Sequence, residues 1–288
     1  MEDTVIIRFK GGLGNQMFEY ALYRELEYRG KKVKADLTYY AEREEYMPFV
    51  LDKVFPKISI TYAEADEIEY YMKKQREKSL AEKGLAKAFW GMRCYTSEKE
   101  NGIFDKNIFN VKKGFLDGYW QSEKYFSDVR KILHSEFSFD TDETGLEEME
   151  AQIPENAVSM HIRRGDYLSS ADVYGSICTM EYYRKAMLYM KQQVEAPVFV
   201  IFSDDIEWSR ETFQGEEFVF LEKNMAHYED WFDMYLMSRC RHNIIANSSF
   251  SWWGTWLNEN VDKITVAPNR WLNGEKTTDI WCKDWRKI

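Results

Sequence analysis

The chain has 288 residues, of which 44% are hydrophobic and 31% charged; that is too apolar for a disordered chain, and the length suits about two domains. With 39 Lys and Arg against 49 Asp and Glu the formal charge is -10, which argues against a general nucleic-acid binder, because phosphate backbones need a basic footprint. The imbalance is shared evenly, -5 in residues 1–150 and -5 in 151–288, so any anionic ligand must be met by a local cluster.

Aromatic residues make up 16%, with 10 Trp and 19 Tyr, an excess that suggests rings lining a sugar or base site. The longest apolar run, Ala196 to Phe202, is strand-sized, far short of the roughly 18 residues of a membrane span. Glu2 and Asp3 precede a short Val5 to Ile7 run, which lacks the basic start of a secretory signal, so a cytoplasmic location is expected. Cys94, Cys178, Cys240 and Cys282 are isolated, with no C-x-x-C pair, and read as packing thiols rather than zinc ligands or a disulfide framework.

In chain order, Thr4 to Phe9 reads as a β-branched strand, followed by Gly11, Gly12, Leu13 and Gly14, a helix over Asn15 to Arg29 stopped by Gly30, and a strand Val33 to Leu37. This is how a nucleotide-binding-type α/β domain begins. A helix-prone stretch (Glu64 to Ala88), a strand near Phe115 to Trp120 and a helix from Ser122 to Phe137 follow. Asp140 to Glu150 is acidic and poor in apolar residues, and with Pro154 it marks a boundary between a domain of residues 1–152 and one of 153–288. Past it the pattern restarts: strand Ala157 to Ile162, helix Met180 to Val194, strand Val198 to Phe202 and a helix from Asp205. A strand Phe218 to Leu221, helix Tyr228 to Cys240, strand Asn243 to Ala246, helix from Ser248 and strand Ile264 to Ala267 complete it. Strands alternating with helices imply a second parallel α/β domain.

The glycine loop fails the dinucleotide fingerprint, because counting from Gly12 puts Met17 where the third glycine belongs. It still offers helix-start N–H groups to an anion, with Asn15 and Gln16 adding polar side chains; a plain tight turn explains it equally. His161-Ile162-Arg163-Arg164-Gly165-Asp166-Tyr167 directly follows a predicted strand. Adjacent arginines at the carboxyl end of a parallel strand suit a phosphate, although an ion pair with Asp166 accounts for them too. Ser203, Asp204 and Asp205 end another strand, where carboxylates could accept from ribose hydroxyls or a guanine edge, or where Ser203 or Asp204 could cap a helix. Asn247, Ser248, Ser249 and Phe250 open a helix whose free N–H groups make an anion site, or are simply capped. Asp140-Thr141-Asp142 has the D-x-D spacing of a metal-diphosphate site but lies in the acidic linker and reads as a solvated charge run.

Five segments resemble glycosyltransferase family 11, the α-1,2-fucosyltransferases: G-G-L-G-N-Q-M-F-E-Y-A at Gly11 to Ala21, G-Y-W-Q-S-E-K-Y-F at Gly118 to Phe126, H-I-R-R-G-D-Y at His161 to Tyr167, F-S-D-D-I-E-W at Phe202 to Trp208 and N-S-S-F-S-W-W-G-T at Asn247 to Thr255. The resemblance implies an α/β, GT-B type fold, two Rossmann-like domains facing a central cleft. The N-terminal domain would be the acceptor side and the C-terminal one the GDP-fucose side, its last helix free to pack back on the first. It implies inverting, metal-independent transfer of L-fucose from GDP-fucose to the 2-hydroxyl of a terminal galactose, with no cofactor or metal. A bacterial surface glycan built in the cytoplasm would be the acceptor, with peripheral membrane association as an option and no oligomeric state indicated. Carried over by position, Arg163 would hold the diphosphate with His161 and Arg164 nearby. Asn247, Ser248, Ser249 and Phe250 would wrap the phosphates, and Asp233 would take guanine. Ser203, Asp204 and Asp205 would face ribose or base, and Gly12, Gly14, Asn15 and Gln16 would reach in from the other domain. Asp166, three residues beyond Arg163, is the expected general base, or else fixes the arginines. The competing readings are a catalytically silent carbohydrate-binding protein on the same scaffold and a transferase for a different GDP-sugar.

Overall fold

The computed structural model describes residues 3–41, 47–77, 94–99, 102–141, 145–165, 171–222, 228–274 and 279–288. The chain forms two compact units, Met1–Ser138 with Thr278–Ile280, and Phe139–Thr277 with Trp281–Ile288.

The first unit carries β1 (Thr4–Arg8), α1 (Leu13–Tyr28), β2 (Lys32–Asp36), α2 (Leu51–Val54), α3 (Ala65–Glu77), β3 (Tyr95–Ser97), β4 (Gly114–Asp117) and α4 (Arg130–Glu136). Its sheet is ordered β2-β1-β4-β3, and every pairing in it is parallel. Ile6, Ile68, Tyr71 and Phe115 bury one face of it between α3 and the strands. The strand expected to run to Trp120 stops at Asp117, because Gly118 and a left-handed Trp120 (φ 55) turn the chain away. The helix expected from Ser122 begins only at Arg130, after two single turns at Glu123–Tyr125 and Ser127–Val129.

The second unit carries α5 (Leu146–Glu150), β5 (Ala157–Ile162), α6 (Ala171–Tyr174), α7 (Met180–Gln193), β6 (Val198–Ser203), α8 (Ile206–Thr212), β7 (Phe218–Val219), α9 (Trp231–Arg239), β8 (His242–Ile244), α10 (Ser249–Trp256), β9 (Thr265–Ala267) and β10 (Arg286–Lys287). Its six strands are ordered β10-β9-β8-β5-β6-β7, again all parallel. Both sheets are buried on their central strands, as parallel sheets require.

The boundary falls between Ser138 and Phe139, not after residue 152. The acidic stretch hides apolar anchors: Phe139 stacks on Trp231 at 5.5 Å, Leu146 and Met149 are buried, and Glu150 accepts from Arg239 Nε at 2.6 Å. The chain's end is the short strand β10 rather than a helix. Near it, Asp279 belongs to the first unit, where it accepts from the Phe104 amide at 2.9 Å.

A buried polar cluster fixes the strand ends of the second unit. Asn243 Nδ2 donates to Ser159 Oγ at 2.7 Å and to Met237 O at 2.8 Å, while its Oδ1 accepts from Thr255 and Asn258. Because Thr255 lies on α10, this locks the axis of that helix against β8. Much of the aromatic excess is spent here as core: Trp252, Trp253 and Trp256 of α10 are all at most 2% exposed. Burial also raises the Cys178 thiol to about 12 and pushes the Cys240 thiol up, consistent with inert packing. Among the described residues, no helix is long and apolar enough to cross a membrane.

Candidate active site

In an open parallel sheet, ligands sit beyond the carboxyl ends of the strands where the strand order reverses. In the second unit that point lies between β5 and β8, which pair through Val158 with His242 and Met160 with Ile244, while β6 and β7 extend one way and β9 and β10 the other. His161, Arg163 and Arg164 leave β5 there, Asn247, Ser248 and Ser249 follow β8, and Ser203 to Asp205 follow β6.

Asp204 organises the loop after β5. Its carboxylate forms an ion pair with Arg163 Nε at 3.2 Å and accepts from the Arg164 amide at 2.8 Å and the Gly165 amide at 3.1 Å. Arg164 Nε pairs with Asp205 at 3.0 Å, and its guanidinium lies over the Trp208 ring at 3.8 Å. Asp205 also caps α8, accepting from the Trp208 amide at 3.3 Å, and its own amide donates to Ser203 Oγ at 3.0 Å. The cap is therefore Asp205 rather than Ser203 or Asp204. The acids expected to face ribose or base are engaged in holding the two arginines and starting α8.

His161 is 5% exposed, and burial, with the Arg163 charge beside it, lowers its pKa to about 3, so it is a neutral imidazole in the working pH range. Its ring lies 5.9 Å from that of Phe250. Ser248 occupies the N-cap of α10 without a side-chain cap bond. The Trp252 amide is bonded to Ser248 O at 3.0 Å, so the amides of the first turn before it point out of the helix start. Asn247, expected at the phosphates, is 1% exposed; it donates to Trp271 O at 2.9 Å and accepts from Cys178 Sγ at 3.4 Å, so it anchors the turn instead. Asp233 lies on α9 and accepts from the Tyr228 hydroxyl, whose pKa is pushed up by burial and by that carboxylate. Asp166 and Asp142 lie outside the described residues.

The first unit repeats the arrangement between β1 and β4. The loop after β1 needs a glycine at 11, where φ is 78 and a Cβ would stand 2.5 Å from Asn15 Nδ2. Asn15 Oδ1 accepts from Gln121 Nε2 at 2.8 Å, joining this loop to the one after β4. Gly12 is exposed at the N-cap of α1, whereas Gly14 is buried in its first turn. Gln16 is fully buried and uses all its polar valences inside the unit. It donates to Gly11 O and Pro48 O, both at 3.0 Å, and accepts from the Val50 and Leu51 amides, both at 3.1 Å. It is a buckle for the loop, not a ligand-facing group. Sequence reading missed the charged group beside it. Lys10 Nζ lies 2.8 Å from Asp117, which also receives the Tyr95 hydroxyl at 2.6 Å. Burial would raise the Asp117 pKa, but the hydrogen bonds from Lys10 and Tyr95 hold it below the usual value. Basic residues at 8 and 10, alternating out of β1 towards the glycine loop, were the available signal.

The profile described as glycosyl transferase family 11 matches residues 88–288. Among curated proteins, an α-1,2-colitosyltransferase of Escherichia coli is 34% identical over 94% of this chain and 93% of its own length. The O-antigen biosynthesis glycosyltransferase WbnK of Escherichia coli is 32% identical over 96% and 97%. A galactoside α-(1,2)-fucosyltransferase 1 of Saimiri boliviensis boliviensis is 29% identical over 49% of this chain and 42% of its own. The chain belongs to glycosyl transferase family 11. It is a glycosyltransferase on an α/β scaffold of two parallel-sheet units.

Proposed function

We propose that the protein transfers L-fucose from GDP-fucose, with inversion and without a metal, to the 2-hydroxyl of a terminal galactose on a bacterial surface-glycan precursor in the cytoplasm. The observation that carries this reading is the pair of arginines at the strand-order reversal, braced by Asp204 and Asp205, at the end of a strand paired with the one that leads into α10. In the proposed reaction the acceptor oxygen attacks the anomeric carbon while the bond to the β-phosphate oxygen breaks and GDP leaves with the electron pair. Charge growing on that phosphate meets Arg163, Arg164 and the first amides of α10, donors held in place before the reaction begins. The hydroxyl proton passes to Asp166, and an Asp166→Asn variant with an unchanged rate and pH profile excludes that role.

A second reading is favoured by the relative that is 34% identical over 94% of the chain and named for colitose transfer. Colitose lacks one hydroxyl of fucose, so the two donors share the same leaving group and the same demand on the arginines. Purified protein incubated with lactose and chelator, with GDP-fucose or GDP-colitose supplied separately, tests both. The expected result is faster GDP release from GDP-fucose and an α-1,2-linked product. Preference for GDP-colitose selects the second reading, and release only after a divalent metal is added overturns the metal-free mechanism.

A further inference from the structure

Trp208 closes the segment Phe202 to Trp208, yet the donor chemistry derived so far gives it no part. It stands half-buried in the first turn of α8. Phe213 meets its ring edge-on at 6.2 Å between centroids, and the side chain packs on the core cluster that holds Tyr183 and Ile201, so the ring is fixed in the second unit. Its other neighbour is a charge. The guanidinium carbon of Arg164 lies 3.8 Å from the ring centre, close enough to rest on the aromatic face.

Arg164 is thereby restrained twice. Asp205 Oδ2 takes its Nε edge at 3.0 Å, and Trp208 takes its face. Asp205 couples the two restraints, because its Oδ1 accepts from the Trp208 amide at 3.3 Å. The ion pair alone would hold the head loosely: Arg164 and Asp205 are 28% and 36% exposed, and pairs that open to water contribute little. A ring under the guanidinium plane limits its swing without using any of its N–H donors. Among the described residues Arg164 donates to protein only through its backbone N–H and Nε. Both Nη groups are left over, donors of the kind that take a phosphate through two oxygens.

We infer that Trp208 is a positioning residue that acts on the leaving diphosphate through Arg164, aiming the two Nη groups at the β-phosphate. The inference rests on the GDP-sugar reading but not on which sugar is donated. Titration calorimetry of the whole protein with GDP, and separately with GMP, which lacks the β-phosphate, tests it in variants checked for unchanged melting. Arg164→Ala should bind GDP about 10- to 100-fold more weakly than wild type, and Trp208→Leu about three- to tenfold. GMP affinity should barely change in Trp208→Leu, and Trp208→Phe, which keeps an aromatic face, should recover most of the GDP affinity. In an Arg164→Ala background, Trp208→Leu should cost less than about twofold more, because its effect passes through the missing guanidinium. Trp208→Met, also ringless but more adaptable in packing, replaces Trp208→Leu should that variant fail to fold. Equal losses for GMP and GDP, losses that multiply in the double variant, or unchanged GDP affinity without the ring overturn the inference alone. No GDP binding by wild type removes the donor reading and the inference together.

Discussion

Asp204 binds Arg163 and the turn that follows it through a single carboxylate: Oδ2 pairs ionically with Arg163 Nε at 3.2 Å and accepts from the Gly165 amide at 3.1 Å. Strand β6 thereby sets the position of a loop that leaves β5, and the guanidinium is oriented before any ligand arrives. Asp204→Asn keeps the shape but loses the charge and at least one acceptor. The expected cost is about 1.5–3 kcal/mol of transition-state positioning, a fall of roughly 10- to 100-fold in kcat/KM for the donor. Steady-state kinetics with varied donor checks this, and an unchanged kcat/KM would mean that the pairing is incidental.

Arg163 itself is a third exposed, so its removal should cost activity and not the fold. Arg163→Ala is expected to lower turnover by about 10²- to 10³-fold, the usual loss of one electrostatic donor, with melting unchanged. Arg163→Lys keeps a positive charge without the planar fork and should fall between the two. If Arg163→Ala turns over near the wild-type rate, the phosphate site lies elsewhere.

Strand and helix alternation made both units legible, because buried parallel strands such as Ala157 to Ile162 are short apolar runs that stand out from amphipathic helices. The boundary at Phe139 was not legible: an acidic composition conceals a few anchors whose partners, Trp231 and Tyr235, lie far along the chain. The site shows the same division. Arg163 and Ser248 could be placed from their positions after strands. Gln16, Asn247, Asp204 and Asp205 could not be sorted into ligand-facing or bracing roles, because a polar side chain near a strand end looks the same in sequence whichever way its hydrogen bonds run.

Gln16 illustrates that sorting. Replacing it with Leu fills a similar space but strands the Val50 and Leu51 amides and the Pro48 carbonyl, while the Gly11 carbonyl keeps the Tyr40 hydroxyl at 3.0 Å. A loss of about 3 kcal/mol is expected, seen as a drop of roughly 6–12 °C in the melting transition. Donor affinity measured on the folded protein should change far less than with Arg163→Ala. A Gln16→Leu protein with normal melting and lost donor binding would return Gln16 to the ligand-facing set.

The buried neutral His161 predicts how stability depends on pH. Its folded pKa of about 3 lies below the ordinary 6.5, so between those values the unfolded chain binds a proton that the folded one refuses. Stability from this group is therefore fully present above about pH 6.5 and is lost as pH falls towards 3, by up to about 1.4 kcal/mol per pH unit in mid-window. His161→Gln removes the titration while leaving the carboxylates that also titrate there. Urea unfolding from pH 7 to pH 4 should show a shallower acid decline for the variant than for wild type, and the difference between the curves should vanish in slope above pH 7. Parallel curves through the window would mean that His161 takes up its proton in the folded state at an ordinary pH. The ring beside Phe250 would then carry a positive charge and join the arginines and the α10 amides in the proposed phosphate site.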